Sequence, residues 1–471
     1  MESGRIEIPF EECNKQGWIF ALANRLGHDM KTYARRYMKS KFVAQGKDFD
    51  YSYYQIASPS YSLDLVDEAE LHEEGAKTDG ISNDEAYWIG FFYKYFTLAL
   101  SLSNEQAWEK IPFDRMRAFY AEYGAKSKDE AGAELSALLR RELTAAKPRV
   151  VLLATGGTIA GSASSADAVT GYRAGALGVD ELLAAVPELK NVAEVRGETI
   201  CAIDSKDMTD EIWLRLAACA GELLASDDVD GVVIAHGTDT LEETAYFLHL
   251  TVKSDKPLVL TGAMRPATAL SADGPMNLLE AVRVAACKEA AGKGVLVVMD
   301  GEIHSARDVM KTRTLGVGAF SSPTFGCLGT VDAGAPVFYR TTARRHTTRS
   351  EFDAAALPRV DILYGYAGDD GTLVDTCVRA GAKGIVYAGM GNGSIPADAE
   401  KALAKAAAGG IAVVRASRTM SGAVVSAESS YESAGFIDAD TLSPQKARVL
   451  LRFALGKTSD REELRRIFRE Y

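Results

Sequence analysis

Four short polar clusters punctuate the apolar segments of the latter two-thirds of this 471-residue sequence. Thr155-Gly156-Gly157-Thr158-Ile159-Ala160-Gly161 follows the apolar run 150–154, and His236-Gly237-Thr238-Asp239-Thr240 follows the run 231–235. Arg307-Asp308-Val309-Met310-Lys311-Thr312 comes shortly after the run 294–298, and Gly391-Asn392-Gly393-Ser394 after the run 384–388. Together they supply hydroxyls, a carboxylate and a lysine, with no metal-ligand set. A hydroxyl attacks a carbonyl well only when a neighbour takes its proton, so this inventory suits hydroxyl-based nucleophilic catalysis. The glycines of the first cluster permit a tight turn and close backbone approach. The G-x-G-x-x-G spacing of a dinucleotide loop is absent, and no downstream lysine makes a P-loop. Taken singly, each residue has a plainer reading: His236 as a structural histidine, Asp239 as a helix cap, Lys311 as a solvated charge.

The elements that must position these clusters are legible as unbroken, β-branched runs. Further runs occur at 257–260 and 411–414, and amphipathic helical stretches at 210–225 and 277–291 lie between runs. Continuous apolar runs alternating with helices predict parallel strands buried on both faces. Ligands bind such sheets at the carboxyl ends of the strands, which is where the clusters fall. The fold class expected is α/β, a two-domain parallel-sheet architecture preceded by an all-α N-terminal domain. The boundaries read as 1–147 for the helical part, 148–335 for a large α/β domain, 336–358 for a linker bounded by Pro336 and Pro358, and 359–471 for a small α/β domain.

The first third has a different composition. Only nine of the 42 glycines precede Lys147, but 23 of the 40 aromatic residues do. Ser82-Asn83-Asp84 caps a predicted helix through Trp88, Phe91, Phe92, Tyr95 and Leu98, and Ser103 with Gln106 fits a capping box. Pro112 opens a helix over 113–123 that Gly124 is expected to end in a left-handed cap. Leu135, Leu139 and Leu143 mark one more helix. The aromatic spacing favours a packed core over a ligand groove, and His28 and His72 stand alone.

A formal net charge of −12 argues against a nucleic-acid partner, which wants a basic face. The stretch from Trp88 to Leu102 is interrupted by Lys94 and is too short to span a bilayer, so no membrane partner is expected. The first residues hold no apolar run of the kind a signal peptide needs, which points to the cytoplasm. The six cysteines are scattered without a Cys-x-x-Cys pair. They read as thiols in a reducing compartment, with neither metal nor other cofactor implied.

With Gly262-Ala263-Met264-Arg265-Pro266, Ser271-Ala272-Asp273-Gly274-Pro275 and the tail Pro444-Gln445-Lys446-Ala447-Arg448-Val449-Leu450-Leu451, the first two clusters resemble bacterial type II L-asparaginases. The resemblance runs from about Arg149 to Tyr471; the helical third lies outside it. It implies hydrolysis of L-asparagine through a β-aspartyl-enzyme. Thr158 matches the family's nucleophile and Tyr172 the loop tyrosine that helps activate it. Thr238, Asp239 and Lys311 match a second polar triad. Ser205 matches the residue gripping the substrate α-carboxylate, while Asp239 also takes the α-amino group. Ser394 occupies a substrate-binding position where asparagine or serine is expected. Glu428, or alternatively Glu432 because the local spacing is one residue short, matches an acid donated by the neighbouring subunit. A homotetramer with shared sites follows from the same resemblance.

Lys206 stands where type II enzymes usually carry glutamine or glutamate, near the substrate's α-amino end. A second cation beside an ammonium is unfavourable unless it points away or pairs with Asp207, so the asparagine/glutamine preference stays open. The absent signal sequence also departs from type II enzymes, which are commonly exported. Three other readings remain: a mixed glutaminase-asparaginase, the asparaginase-like subunit of a tRNA-dependent amidotransferase, and an amino-acid sensor without catalysis.

Overall fold

A computed structural model describes residues 8–40, 80–144, 147–161, 165, 175–354, 357–426 and 428–471. The chain divides into two units, Met1–Ala146 and Lys147–Tyr471.

The described part of the first unit is helical: Phe10–Arg25, Met30–Lys39, Asn83–Ala99, Asn104–Lys110, Phe113–Tyr123 and Lys128–Thr144. Ser82 Oγ accepts the Glu85 N–H, and Ser103 with Gln106 forms the expected capping box. Gly17 and Gly90 bring the first and third of these helices close. A Cβ on Gly90 would lie 2.7 Å from Gln16 O, and one on Gly17 would lie 2.8 Å from the Tyr87 ring. The expectation for Gly124 needs correction. Its φ is −62°, right-handed, and its N–H simply closes on Tyr120 O. Glycine is needed there because a Cβ would press into Tyr120, 2.5 Å from its carbonyl oxygen.

The second unit holds two main sheets. The strands are β1 (Arg149–Gly156), β2 (Glu194–Ile203), β3 (Gly231–Ala235), β4 (Leu258–Thr261), β5 (Val295–Met299), β6 (Glu302–Ser305), β7 (Met310–Lys311), β8 (Phe320–Ser321), β9 (Gly329–Asp332), β10 (Ala335–Phe338), β11 (Val360–Tyr364), β12 (Gly384–Gly389), β13 (Ala412–Ser417) and β14 (Ile437–Asp438). The first sheet has the order β10-β9-β6-β5-β4-β3-β1-β2 and the second β11-β12-β13-β14; β7 and β8 form a separate ribbon. From β5 through β2 the pairing is parallel, whereas β6, β9 and β10 are antiparallel. The second sheet is parallel throughout.

Each expected run falls on β1, β3, β4, β5, β12 or β13, the strands flanked on both sides. The helix Asp210–Ala225 forms as expected; the stretch 277–291 becomes the helix Gly274–Ala285 and a short 3-10 turn at Lys288–Ala290. The segment expected as a linker begins inside β10. Its remainder packs down, with Ser350 Oγ donating to Leu250 O (2.6 Å) and Phe352 against Phe453. The helix Pro444–Lys457 carries Leu450 and Phe453 into a core shared by both sheets, with Val232, Leu258, Val386 and Val414.

Candidate active site

Three neighbouring strand ends converge so tightly that side chains are excluded from their turns. Gly156 and Gly157 have φ of 104° and 79°, values that only glycine adopts readily. A Cβ on Gly156 would lie 2.4 Å from Ile203 O, at the end of β2. One on Gly157 would lie 2.3 Å from Gly237 Cα, and one on Gly237 would lie 2.6 Å from Ser205 Oγ. Thr155 Oγ1 donates to Ala235 O (3.1 Å), fixing the β1 turn to the end of β3. Thr158 and Thr238, each one residue beyond this backbone contact, are both buried.

Around that contact the polar groups interlock. Lys311 Nζ donates to Thr238 Oγ1 (2.9 Å) and to Asp239 Oδ1 (2.6 Å). The Asp239 N–H donates to Ser205 Oγ (3.2 Å), and Thr240 Oγ1 donates to Ser205 O (2.8 Å). Hence Ser205, Thr238, Asp239 and Lys311 share one network beside Thr158. Asp239 caps no helix, and Lys311 is no solvated surface charge. Tyr172 lies outside the described residues.

Lys311 reaches the site by an indirect route. β6 runs antiparallel to β5, so the chain leaves the first sheet at its opposite edge and must return. Buried Glu242 catches it, accepting the Lys311 N–H at Oε2 (2.8 Å). Burial raises the Glu242 pKa, opposed by the Lys446 ammonium and the bond from Lys311. Lys446 is itself buried and donates to Arg307 O (2.9 Å) and Val309 O. Its burial lowers its pKa to about 8, with Glu242 the main opposing influence. Glu242 and Lys446 were not read as site residues. Their signal was only a charged residue at an otherwise apolar helical position.

The third cluster therefore splits. Arg307 turns away from Thr238, donating to Tyr471 O, Asp308 Oδ1 and Thr441 Oγ1. His236 is structural: it is fully buried, Nδ1 lies 2.7 Å from Gly237 O, and burial lowers its pKa to about 4. Lys206 pairs with Asp204 Oδ2 (2.6 Å), the carboxylate on the other side from Asp207. That bond raises the Lys206 pKa.

Ser394 and Glu428 are exposed beyond the carboxyl ends of β12 and β13, in the second sheet. Neither bonds to the Thr238 network among the described residues. Glu432 is engaged locally, accepting from Ser426 Oγ (2.8 Å). Among the described residues no group of His, Cys, Asp or Glu could hold a metal ion. None of the described helices is long and apolar enough to cross a membrane.

Strand-end hydroxyls joined to a lysine and a carboxylate, over a largely parallel sheet tied to a second one, define an α/β protein with a polar, hydroxyl-bearing site. Known proteins resemble this chain. Residues 149–344 match the family described as Asparaginase, N-terminal, and residues 359–468 match the Glutaminase/Asparaginase C-terminal domain. The chain belongs to the asparaginase family. L-asparaginase 2 of Bacillus subtilis is 48% identical over 349 residues, 74% of this chain and 92% of that protein. The glutaminase-asparaginase of Pseudomonas fluorescens biotype A is 48% identical, covering 68% of this chain and 90% of its own. A crystal structure described as a probable cytoplasmic L-asparaginase from Campylobacter jejuni has a TM-score of 0.67 at 50% identity, covering 69% of this chain and all of that one. Both family matches leave the helical unit outside them.

Proposed function

We propose that residues 147–471 form an L-asparaginase that hydrolyses L-asparagine to L-aspartate and ammonia. The observation that carries this reading is Lys311 Nζ held between Thr238 Oγ1 and Asp239 Oδ1, beside the turn bearing Thr158. Relatives named L-asparaginase at 48% identity support it.

Thr158 Oγ1 attacks the side-chain amide carbon, and its proton leaves through a hydrogen-bonded neighbour, the role assigned to Tyr172. The tetrahedral intermediate collapses when the amide nitrogen is protonated and departs as ammonia, leaving a β-aspartyl ester on Thr158. Water, deprotonated through Thr238 and Lys311, cleaves that ester and frees aspartate. Gly157 N–H already donates to Ile203 O (2.9 Å) and Asp239 N–H to Ser205 Oγ (3.2 Å), so oxyanion stabilisation is assigned to the remaining N–H groups of the glycine turn or of the turn at Thr238. One such donor is typically worth about 3 kcal/mol in the transition state. Ser205 and Asp239 bind the α-carboxylate and α-amino groups.

In this reading Glu428 completes a partner copy's site, within a homotetramer located in the cytoplasm, and Ser394 is taken with it because Asn392 and Val425 tie the two loops together. The word cytoplasmic in the description of the Campylobacter jejuni structure supports that location, and a Haemophilus influenzae relative named as periplasmic opposes it. Cell fractionation decides between them. A mixed glutaminase-asparaginase is the second reading, favoured by the equal identity to a relative of that name. Asp204 holds the Lys206 amine, which reduces the expected repulsion of a substrate ammonium.

Ammonia release from L-asparagine and L-glutamine, with Thr158→Ala as control, tests the assignment. Turnover that vanishes in the variant supports it; a wild-type protein active on neither amide overturns it. The ratio of the two rates separates the two readings.

A further inference from the structure

The second sheet contains a fully buried guanidinium that the chemistry above does not use. Arg415 lies on β13, opposite Asp438 of β14, and is 1% exposed. Its Nε and Nη2 donate to Asp438 Oδ1 at 3.1 and 2.6 Å, which orients the planar group. The donors left over reach two separate loops. Nη1 lies 3.4 Å from both Asn392 O and Gly393 O, after β12, and Nη2 lies 3.0 Å from Val425 O, after β13. The Tyr431 ring packs against the cation at 4.3 Å, and the Tyr431 hydroxyl accepts the Ile395 N–H (3.1 Å).

The same two loops are cross-tied directly. Asn392 Nδ2 donates to Val425 O (3.1 Å), and the Val425 N–H donates back to Asn392 Oδ1 (2.9 Å). Ser394 and Glu428 therefore project from loops fastened to one cation and to each other. An ion pair serving stability alone needs only Asp438. A rigid planar fork with five N–H groups can reach a carboxylate and two separate backbone segments together, whereas a lysine presents its three donors from a single nitrogen.

We propose that Arg415, through the Asn392 tie, is a positioning residue that fixes the spacing of Ser394 and Glu428 so that both fit one substrate in a partner copy's site. The proposal rests on the asparaginase reading above. In that reading Ser394 and Glu428 bind substrate and neither attacks it, so loosening their loops weakens binding more than chemistry.

The test uses full-length Arg415→Lys and Asn392→Ala, with thermal unfolding measured beside kinetics on L-asparagine. Asn392→Ala alters only the tie between the loops, so it stands if Arg415→Lys does not fold. The expected result is a KM raised about tenfold in Arg415→Lys and about fivefold in Asn392→Ala, with kcat changed less than about threefold. Mixed oligomers of Arg415→Lys with Thr158→Ala should regain sites of wild-type KM, because intact loops of one copy then serve intact Thr158 of the other. Wild-type KM in the folded variants, or mixtures showing only the variant KM, overturns the positioning role while the wild-type enzyme remains active. A wild-type protein that releases no ammonia removes the reading underneath, and this proposal with it.

Discussion

The helical unit and the α/β unit bury apolar surface by different means, and the difference explains why chemistry is visible in only one of them. In residues 83–99 the core is made of rings: Trp88 and Phe92 have centroids 4.2 Å apart, and Phe10 meets Phe91 edge-on at 5.3 Å. In β1, β3, β4 and β5 it is made of Val, Leu and Ile in unbroken runs. A helix satisfies its own backbone along its length, so its polar side chains spread over its surface and gather at its caps. Parallel strands instead all end on one edge, and the loops leaving them are forced together. That is how Gly157 and Gly237, distant in sequence and with Ser205 against Gly237, come to have no room for a Cβ. A ring-packed helical core creates no such focus.

This contrast can be broken experimentally. The largest effect is expected at Thr158→Ala, which removes the nucleophile and should lower kcat by more than about a thousandfold, measured as ammonia release. Thermal unfolding should stay unchanged, since the lost group is a hydroxyl and one methyl. Lys311→Met should follow, with a loss of about a hundredfold to a thousandfold in kcat, because Thr238 loses its proton partner.

The helical core gives the opposite signature. Phe92→Ala, at a fully buried ring, should destabilise the first unit by about 3–5 kcal/mol in denaturant unfolding while kcat/KM stays near the wild-type value. A large fall in kcat/KM would mean that the helical unit takes part in catalysis.

Acid should act on the α/β unit through its buried histidines, His236 among them. Its folded pKa of about 4 lies below the ordinary value of 6.5, so the unfolded chain takes up the proton first. The associated stability is present above about pH 6.5 and is lost as pH falls to about 4, roughly 3 kcal/mol in all. Urea unfolding at several pH values measures this slope, and His236→Gln should reduce it by one histidine's share, since burial lowers the pKa of His249 and His346 in the same direction. The smallest expected effect is at Ser103→Ala, which removes half of a capping box and should cost the helical unit about 1 kcal/mol.

The strands legible in the sequence were the interior ones, and for a physical reason. β1, β3, β12 and β13 have neighbours on both sides and cover on both faces, so their residues are almost uniformly apolar. β2 and β11 are edges with alternating or partial exposure, and β6, β9 and β10 are short antiparallel additions; none leaves an unbroken run. Of the site, Thr158, Thr238 and Asp239 were found because they directly follow such interior strands. Lys311 was found within a cluster whose other charges, Arg307 and Asp308, serve elsewhere. Ser205 came from the resemblance alone, since β2 gave no signal of its own.

The sequence by itself determined the two kinds of core, the helix N-caps at Ser82 and Ser103, the interior strands and the residue types available for attack on a carbonyl. These follow from periodicity and local chemistry, which act over a few residues. Only the tertiary structure decided the partners: Asp204 rather than Asp207 for Lys206, Glu242 holding the Lys311 backbone, and Arg415 fastening two loops at once. Those choices depend on which side chains meet after strands pair and the chain reverses at β6, and no spacing in the sequence encodes a reach through space.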